Sequence, residues 1–319
     1  MRPSILITGG LGYLGGRIAL GLHQEGYKII CGTRRDVDSA PAWLPEMKMV
    51  TLNWDSEDSL VVACQHIDCI IHLAAMNEVE SLRDPAGALL MNGMASLRLL
   101  EAAKKANVKR FIYFSTAHVY GSPLEGEIDE KTLPRPIHPY AITHKVTEDF
   151  VLAAHSQRLI EGIVIRLSNG FGVPATSSVD RWTLLVNDLC RQVVVSGELR
   201  LNSSGLQERD FITLGDIANA TNHLLQLDSS QLDDGLFNLG GMRSISILDM
   251  TKMVASRWFQ MTGINPPIIC ADGSASSSPS LTYSCQKLLA TGFELSSLIE
   301  GEIDATLRLC QEAFGIKQA

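Results

Sequence analysis

Apolar and polar residues follow two different periods along the first half of the chain. Short, continuous apolar runs occur at residues 4–8 (SILIT), 27–33 (YKIICGT), 67–75 (IDCIIHLAA), 108–116 (VKRFIYFST) and 160–168 (IEGIVIRLS). Segments with helical spacing lie between them at 17–26, 93–107 and 141–158. Short apolar runs predict buried strands, and longer amphipathic segments predict helices. Strands that alternate with helices in this way predict a doubly wound parallel sheet.

The regular alternation weakens after Gly170, where loops become more frequent. One of them, DGSASSSPS (272–280), is rich in Ser and Gly and is typical of a loop. We therefore predict an α/β protein with a Rossmann dinucleotide-binding domain at residues 1–168. Residues 169–319 are expected to form mainly a smaller C-terminal α/β substrate domain, with some segments returning to the first domain.

Composition narrows the classes of partner. The 319 residues carry a net charge of −8, which argues against nucleic acid and anionic membranes as main partners. No apolar run approaches the roughly 18 residues of a membrane span, and the start, MRPSILITGG, predicts a strand and not a signal peptide. The seven scattered cysteines form no Cys-x-x-Cys pair, so we expect no metal site and mostly buried, reduced thiols in a cytoplasmic protein.

The first motif is TGGLGYLGG, between a predicted strand and a predicted helix. Glycines there allow a tight turn and let the backbone approach a pyrophosphate at the helix N-terminus. A plain loop at the start of a helix is the alternative, but the position after the first strand favours dinucleotide binding. The predicted contacts are Gly9, Gly12, Tyr13, Leu14 and Gly15.

The end of the second strand predicts the choice of cofactor. An acidic residue there would bond the ribose hydroxyls of NAD. The sequence instead has Thr33, Arg34 and Arg35, and guanidinium groups suit the 2′-phosphate of NADP. A solvated basic pair is the alternative. NADP is therefore the predicted cofactor, with NAD possible.

At this point the chain resembles the extended short-chain dehydrogenases, the NAD-dependent epimerase/dehydratase group that works largely on nucleotide sugars. The likeness covers almost the whole chain. It rests on TGGLGYLGG, IIHLAA (70–75), the stretch from 84 to 121 that ends in FSTAHVYG, HPYAITHK (138–145), VIRLSNGFG (164–172), RDFITLGDIANA (209–220) and FNLGG (237–241).

The resemblance implies catalytic roles for two hydroxyl groups. Tyr140 matches the tyrosine that exchanges a proton with a sugar hydroxyl, and Thr116 matches the residue that holds the reacting oxygen. The family's lysine, four residues after the tyrosine, is replaced by His144. Lys145 cannot substitute, because one residue rotates a side chain by about 100° around a helix. Either His144 is held protonated or Tyr140 is a weaker base; we expect His144 to take the lysine's role.

Further contacts are implied by the same resemblance. Adenine would be flanked by Asn53 and Trp54, the cofactor cleft would be lined by Leu73, Ala74 and Ala75, a structural asparagine would be Asn92, and a substrate diphosphate would contact Asn169 and Arg209. A structural ion pair of Arg209 with Asp210 or another acid is the alternative for that arginine.

Two differences from the family's sequence pattern limit the reactions and substrates that we expect. Sugar 4,6-dehydratases of the family carry an Asp-Glu pair where this chain has Ala117 and His118, so that reaction is disfavoured and epimerase or ketoreductase is expected. The family's Arg-Pro-Gly-Asp stretch is replaced by residues 273–280, which makes a sugar without a nucleotide, or another hydroxy or keto compound, an alternative substrate. A non-catalytic NADP-binding sensor or scaffold is the alternative function. A homodimer through the helices at 93–107 and 141–158 is also expected.

Overall fold

A computed structural model describes residues 3–34, 39–271 and 280–315. The strands in this part of the chain are β1 (Ser4–Thr8), β2 (Lys28–Thr33), β3 (Lys48–Thr51), β4 (Cys69–His72), β5 (Arg110–Thr116), β6 (Gly126–Ile128), β7 (Glu161–Leu167), β8 (Asn169–Phe171), β9 (Leu199–Leu201), β10 (Glu208–Thr213), β11 (Leu236–Leu239), β12 (Ser244–Ser246), β13 (Ile268–Cys270) and β14 (Leu281–Tyr283).

The α-helices are α1 (Tyr13–Gln24), α2 (Glu57–Ala63), α3 (Glu78–Arg83), α4 (Pro85–Ala88), α5 (Ser96–Lys105), α6 (Pro139–Ser156), α7 (Leu185–Ser196), α8 (Leu214–Gln226), α9 (Ile247–Thr262), α10 (Gln286–Leu289) and α11 (Ile299–Phe314). A π-helical segment, Leu89–Ala95, joins α4 to α5, and single 3₁₀ turns occupy Ala117–Tyr120 and Ser229–Gln231.

The main sheet has seven parallel strands in the order β11-β7-β5-β4-β1-β2-β3. The strand order reverses between β1 and β4, and ligands of doubly wound sheets bind at such a switch point, beyond the carboxyl ends of the strands. The predicted parallel Rossmann sheet is therefore confirmed. The sequence pattern missed β3, whose four residues are all at least partly exposed.

Successive residues of β1 show how the sheet is buried on both faces. Ile5 and Ile7 belong to one apolar cluster, which also contains residues of α1 and α8. Leu6 belongs to a second cluster, with residues of α2 and α5. Because side chains alternate across a strand, an uninterrupted apolar run fills both layers.

The second half of the chain contributes to two places. β8, β10 and β12 form a small sheet, and Phe171 packs in a separate apolar cluster with residues of α7, α9 and α11. β11 and α8 instead pack with the main sheet, where Phe237 shares a cluster with Ile5. The division of the chain at residue 168 stays a prediction.

The helix after the glycine motif is tied to the last helix of the structure. Arg17 Nη1 donates to Glu302 Oε1 at 2.9 Å and to the Val173 carbonyl at 2.9 Å. The same Glu302 oxygen accepts the backbone N–H of Val173 at 3.0 Å. Glu302 thus joins α1, α11 and the chain segment that follows β8.

The cysteines are all free; Cys270 is exposed and the other six are buried, as expected. No helix in the described ranges combines the length and the apolar character that crossing a bilayer requires.

Candidate active site

A cleft of about 920 Å³ opens at the carboxyl ends of the main strands. This volume lies at the upper end of the range of small-molecule sites. The predicted site residues that line it are Gly9, Gly12, Tyr13, Leu14, Gly15, Thr33, Arg34, Trp54, Leu73, Ala74, Ala75, Thr116, Tyr140, His144, Asn169 and Arg209. Asn53 does not line it: its Oδ1 accepts the backbone N–H of Asp55 at 3.1 Å, which closes a local turn. Arg35 and the replaced stretch up to residue 279 lie outside the described residues.

The glycine motif is packed too closely for side chains. Gly9 has φ +71°, a left-handed conformation that favours glycine. A Cβ atom on Gly15 would lie 2.2 Å from the Gly9 carbonyl oxygen. The backbone N–H of Gly12 donates to that same oxygen at 2.9 Å. The first turn of α1 therefore lies directly against the end of β1.

The N-terminus of α1 is free to receive an anion. Its N-cap is Gly12, which makes no side-chain capping bond, and its first turn contains no acidic residue. A helix N-terminus with uncapped N–H groups attracts negative charge. Tyr13 instead has a structural role, because its hydroxyl donates to the Gly172 carbonyl at 2.9 Å and also bonds Asn187. It thereby links α1 to the second half of the chain.

A chain of buried hydrogen bonds fixes the backbone that follows β4 and forms part of the cleft wall. The Thr8 hydroxyl accepts the backbone N–H groups of Leu73 and Ala74 at 3.2 and 3.3 Å and lies 2.6 Å from His72 Nδ1. Burial lowers the pKa of His72 to about 3, so the ring is neutral. Thr8 therefore donates to Nδ1, and His72 Nε2 donates to Ser96 at 2.7 Å.

The π-helical segment places Asn92 between three elements. Its Oδ1 accepts the Met76 N–H at 2.7 Å, and its Nδ2 donates to Thr143 at 3.0 Å. Its carbonyl accepts the Thr147 hydroxyl at 2.6 Å. Asn92 thus ties the π-helical segment to α6 and to the backbone at Met76.

Tyr140 lies in the first turn of α6. Pro139 occupies the first helical position, and the His138 side chain caps the Tyr140 N–H at 3.2 Å. Proline is favoured there because its missing N–H has no intrahelical partner. The Tyr140 ring is half-buried, and its hydroxyl makes no hydrogen bond with the described residues. Burial raises its pKa, as does the Glu78 carboxylate, while the Arg181 guanidinium lowers it.

His144 is buried directly beside Tyr140. The ring centroids are 4.3 Å apart with an edge-to-face angle of 73°. Burial lowers the pKa of His144 to about 3, which favours the neutral imidazole over the protonated one. Its Nδ1 lies 2.5 Å from the Tyr113 hydroxyl. Its Nε2 is buried without a partner among the described residues.

Lys145 lies on another face of α6. Its ammonium group pairs with Asp149, one turn along the helix, and it does not line the cleft. The helical rotation thus separates it from Tyr140, as expected. Neither His144 nor Lys145 therefore brings a positive charge to the phenol of Tyr140.

Thr116 ends β5 on the cleft wall. It is 6% exposed, and its Oγ1 accepts the His118 N–H at 3.2 Å, which leaves the hydroxyl proton available. Ala117 is buried and offers no acid or base. His118 lines the cleft, and burial lowers its pKa below the ordinary histidine value. The two positions after Thr116 hold no carboxylate.

Asn169 on β8 and Arg209 on the neighbouring strand β10 both line the cleft. Asn169 Nδ2 donates to the Asp210 carbonyl at 2.9 Å. Arg209 makes no ion pair with Asp210, so that alternative is wrong: the buried Asp210 carboxylate accepts from Ser168, Gly241 N and Arg243 N instead. The Arg209 guanidinium lines the cleft with no hydrogen bond or ion pair within the described ranges.

Sequence reasoning missed three residues around Tyr140. Glu78 and Arg181 line the cleft and carry the charges that act on the phenol, and Tyr113 holds His144. Tyr113 belongs to a predicted strand, and its inward direction follows from the period of two. No motif marked Glu78 or Arg181, because their approach to Tyr140 depends on loops far apart in sequence.

The arrangement fits a dinucleotide. The uncapped α1 N-terminus suits a pyrophosphate, and the closely packed glycine turn allows the backbone to approach it. Deeper in the cleft, Nε2 of His144 is a buried polar atom without a partner, which a ribose hydroxyl would satisfy. The Trp54 indole N–H is likewise buried and unpartnered at the edge of β3.

Comparison with known proteins gives a consistent picture. A model of the NAD dependent epimerase/dehydratase family matches residues 5–240. A UDP-glucose 4-epimerase of Lactobacillus helveticus is 27% identical over 292 residues, 82% of this chain and 83% of that protein. A human dTDP-D-glucose 4,6-dehydratase is 26% identical over 265 residues, 78% of this chain and 72% of that protein.

Among solved structures, the fold is similar to that of a UDP-glucuronic acid 4-epimerase from Bacillus cereus in complex with NAD. The TM-score is 0.79 at 22% identity, over 97% of this chain and 96% of that one. This likeness supports the assignment of the fold.

Proposed function

The chain belongs to the NAD dependent epimerase/dehydratase family, and from this premise we propose that it epimerises a nucleotide-linked sugar with Tyr140 as acid and base. One observation carries the proposal: Tyr140 and Thr116 line the same cleft as the glycine motif. The unbonded phenol hydroxyl is free to meet a substrate. Relatives named as UDP-glucose 4-epimerases support the reaction class.

Two hydroxyl groups of the chain would bind and transfer the proton of the reacting sugar hydroxyl. Tyr140 Oη takes it from the sugar hydroxyl whose carbon becomes a ketone, and returns it when the hydroxyl forms again with the opposite configuration. Thr116 donates its free hydroxyl proton to the reacting oxygen and fixes its position. Epimerisation also requires the keto sugar to turn over in the cleft while it stays bound.

The cofactor would occupy the inner wall. A nicotinamide dinucleotide, when bound, supplies the group that accepts and returns hydride. Gly12 and Gly15 at the start of α1 would hold its pyrophosphate, and Ala74 and Ala75 would border it. His144, as a neutral ring with a free Nε2–H, would donate to a ribose hydroxyl. It would thus make the hydrogen bond expected of the lysine without contributing the lysine's charge.

The cofactor choice is proposed to depend on the end of β2. NAD is the dinucleotide named with the solved neighbours, and those comparisons do not favour NADP. Thr33 and Arg34 nevertheless line the cleft where an acidic residue would exclude a 2′-phosphate. We propose that the site accepts both forms and that Arg34 sets the ratio between them.

The substrate is proposed to reach the second half of the chain, mainly residues 169–319. Arg209 is a cation without an ion-pair partner in the described cleft, and a diphosphate would provide one. Asn169, on the adjacent strand β8, would contribute a polar contact. Ketoreduction would use the same groups. Dehydration is disfavoured because Ala117 and His118 supply no carboxylate.

The test is a product assay. The protein is incubated with NAD or NADP and with UDP-glucose, UDP-galactose, UDP-glucuronic acid or simple ketones, and the sugars are resolved by proton NMR. Interconversion of C4 epimers supports the proposal. Net consumption of reduced cofactor would assign a ketoreductase instead, and a 4-keto-6-deoxy product would assign a dehydratase.

A non-catalytic sensor is the second candidate, and one observation favours it. The pKa of Tyr140 is raised while its neighbour His144 is neutral, so the phenol of the free protein is a poor base. Tight dinucleotide binding without turnover of any of these substrates would support a sensor. Retention of Thr116 and Tyr140 in one cleft is the reason to place the enzyme first.

A homodimer is proposed through the outer face of the π-helical segment and α6. Leu90, Ile142 and Phe150 are large apolar side chains there that are 65%, 44% and 42% exposed. Exposed apolar side chains close together are typical of interfaces. Sedimentation of the wild-type protein and of Phe150→Glu tests the proposal: the variant should sediment as a monomer.

A further inference from the structure

Position 144 creates an electrostatic problem for the proposed enzyme. A phenol acts as a base only when its ionised form is stabilised, and a nearby positive charge does this. The structure has no such charge on α6: His144 is neutral, and the ammonium group of Lys145 pairs with Asp149. A cation contributed by the protein would therefore come from another element.

The groups around Tyr140 come from four elements. His144 lies on its own helix, Glu78 begins α3, His118 belongs to the 3₁₀ turn after β5, and Arg181 precedes α7. All four line the cleft. Burial lowers the pKa of His118, which disfavours its charged form, and Glu78 carries the wrong sign. Arg34 and Arg83 also line the cleft but are exposed, and Arg209 is proposed to meet a substrate phosphate, so Arg181 is left as the cation.

Arg181 is anchored through its backbone and leaves its guanidinium available. Its N–H donates to the Val179 carbonyl at 2.9 Å, and its own carbonyl accepts the N–H of Leu184 at 3.3 Å. The guanidinium makes no hydrogen bond or ion pair with any residue that the structure describes. A half-buried arginine that has no carboxylate partner and lines a cleft is available to act on what lies in that cleft.

We propose that Arg181 supplies, across the cleft, the positive charge that the phenol of Tyr140 needs as a base, in place of a lysine on α6. This inference rests on the proposed function, since it assigns Arg181 as a positioning and electrostatic residue for that reaction. The direction agrees with the charges around the phenol: burial and Glu78 raise the pKa of Tyr140, and Arg181 lowers it. The charge and the base thus line the same cleft but come from different halves of the chain.

The experiment is a pH profile of kcat/KM for 4-epimerisation of UDP-glucose. Four full-length proteins are compared: wild type, Arg181→Gln, Arg181→Lys and the matched control Arg308→Gln. Arg308 is an exposed arginine of α11 that does not line the cleft. Removing the Arg181 charge should raise the midpoint of the acid limb by about one pH unit, which is about a tenfold loss of activity below the midpoint.

Each possible result of this experiment either supports or overturns the proposal. Recovery of Arg181→Gln towards wild-type activity at high pH, with Arg181→Lys and Arg308→Gln close to wild type throughout, supports the proposal. Superimposable profiles for wild type and Arg181→Gln overturn it. A loss that is the same at every pH and is confined to KM also overturns it, and would assign Arg181 to binding an acidic group of the substrate.

A second measurement does not require turnover. It therefore tests the inference separately from the proposed enzymatic function. An isotope label at the tyrosine ζ carbon reports ionisation by NMR, and Tyr140→Phe identifies the signal among the six tyrosines. At the same alkaline pH, Arg181→Gln should contain a smaller ionised fraction of Tyr140 than wild type. An equal fraction in both proteins, including no ionisation in either, overturns the inference even if the wild type proves inactive.

Discussion

The Nδ1 atom of His144 lies 2.5 Å from the hydroxyl oxygen of Tyr113, within the buried layer between α6 and β5. Burial raises the pKa of Tyr113 and lowers that of His144, which favours the neutral form of both groups. When the phenol donates to Nδ1, the imidazole proton resides on Nε2, which is the unpartnered atom. The direction of this one hydrogen bond therefore decides whether His144 presents a donor beside the cleft.

Replacing His144 should therefore change binding more than pH dependence. With a pKa of about 3, the ring stays neutral over the working range, so His144→Ala should leave the midpoint of the kcat/KM profile where it is. Loss of one hydrogen bond should raise the cofactor Kd about tenfold. Calorimetric titration with NAD measures this change. A shifted midpoint would mean that the imidazole is charged in the working enzyme.

His144→Lys provides the complementary test. A lysine at 144 would add a charge one turn from Tyr140, so the acid limb should move to lower pH. This change is expected only if the ammonium group stays near the phenol; an unchanged profile together with weaker NAD binding would show that it does not.

The two hydroxyl groups should be separable by kinetics. Tyr140→Phe removes the proposed acid and base and should lower kcat about a thousandfold, whereas Thr116→Val should cost less because the proton transfer itself remains. Neither hydroxyl bonds a distant residue, so the melting temperatures should change little. If Tyr140→Phe retains wild-type kcat, the proton is moved by another group.

The glycine turn offers a sharp contrast between two alanine substitutions. Gly15→Ala places a Cβ 2.2 Å from the Gly9 carbonyl oxygen, so the turn must shift and NAD binding should be lost. A Cβ added to Gly301, in α11, would have its nearest neighbouring atom 4.0 Å away. Gly301→Ala should leave binding intact and raise the free energy of unfolding by about 0.5–1 kcal/mol, as measured by urea denaturation.

The buried ion pair behind the site should be sensitive to loss of one partner. Arg166 and Glu148 are 3% and 0% exposed, with Nη2 and Oε2 2.8 Å apart, and Glu148 also accepts the Ser115 hydroxyl. Glu148→Gln leaves the arginine charge buried and should destabilise the fold by about 3–5 kcal/mol. The exposed pair of Lys145 and Asp149 supplies the control: Asp149→Asn should cost less than about 1 kcal/mol.

Cofactor selectivity should respond to Arg34. Arg34→Ala should lower the affinity for NADP at least about tenfold, because a charge-assisted bond to phosphate is lost, and leave the affinity for NAD nearly unchanged. Fluorescence titration with both dinucleotides gives the ratio. Equal losses for the two would show that Arg34 does not contact the 2′-phosphate.

The sequence predicts those parts of the molecule whose signals are local. The apolar run at 4–8 predicts β1 at its observed bounds, and the segment with helical spacing at 141–158 predicts most of α6. The glycine spacing likewise predicts the turn before α1, since Gly12 and Gly15 are packed against Gly9, a few residues away.

The parts that escaped prediction depend on long-range placement. Arg209 makes no ion pair with Asp210, because the backbone N–H groups of residues 241 and 243 donate to the Asp210 carboxylate instead. The approach of Arg181 to Tyr140 depends on how the loop after β8 folds over the main sheet. Neither contact leaves a trace in the spacing of residues along the chain.

The contact of Glu302 with Arg17 and Val173 has a consequence for how the protein is made. While a nascent chain is still being translated, Arg17 emerges long before the carboxylate that it meets. The glycine motif leaves the ribosome well ahead of α11, so α1 gains this contact only after that helix has been made. Emergence of α11, and not synthesis of the first half, therefore completes the support of α1.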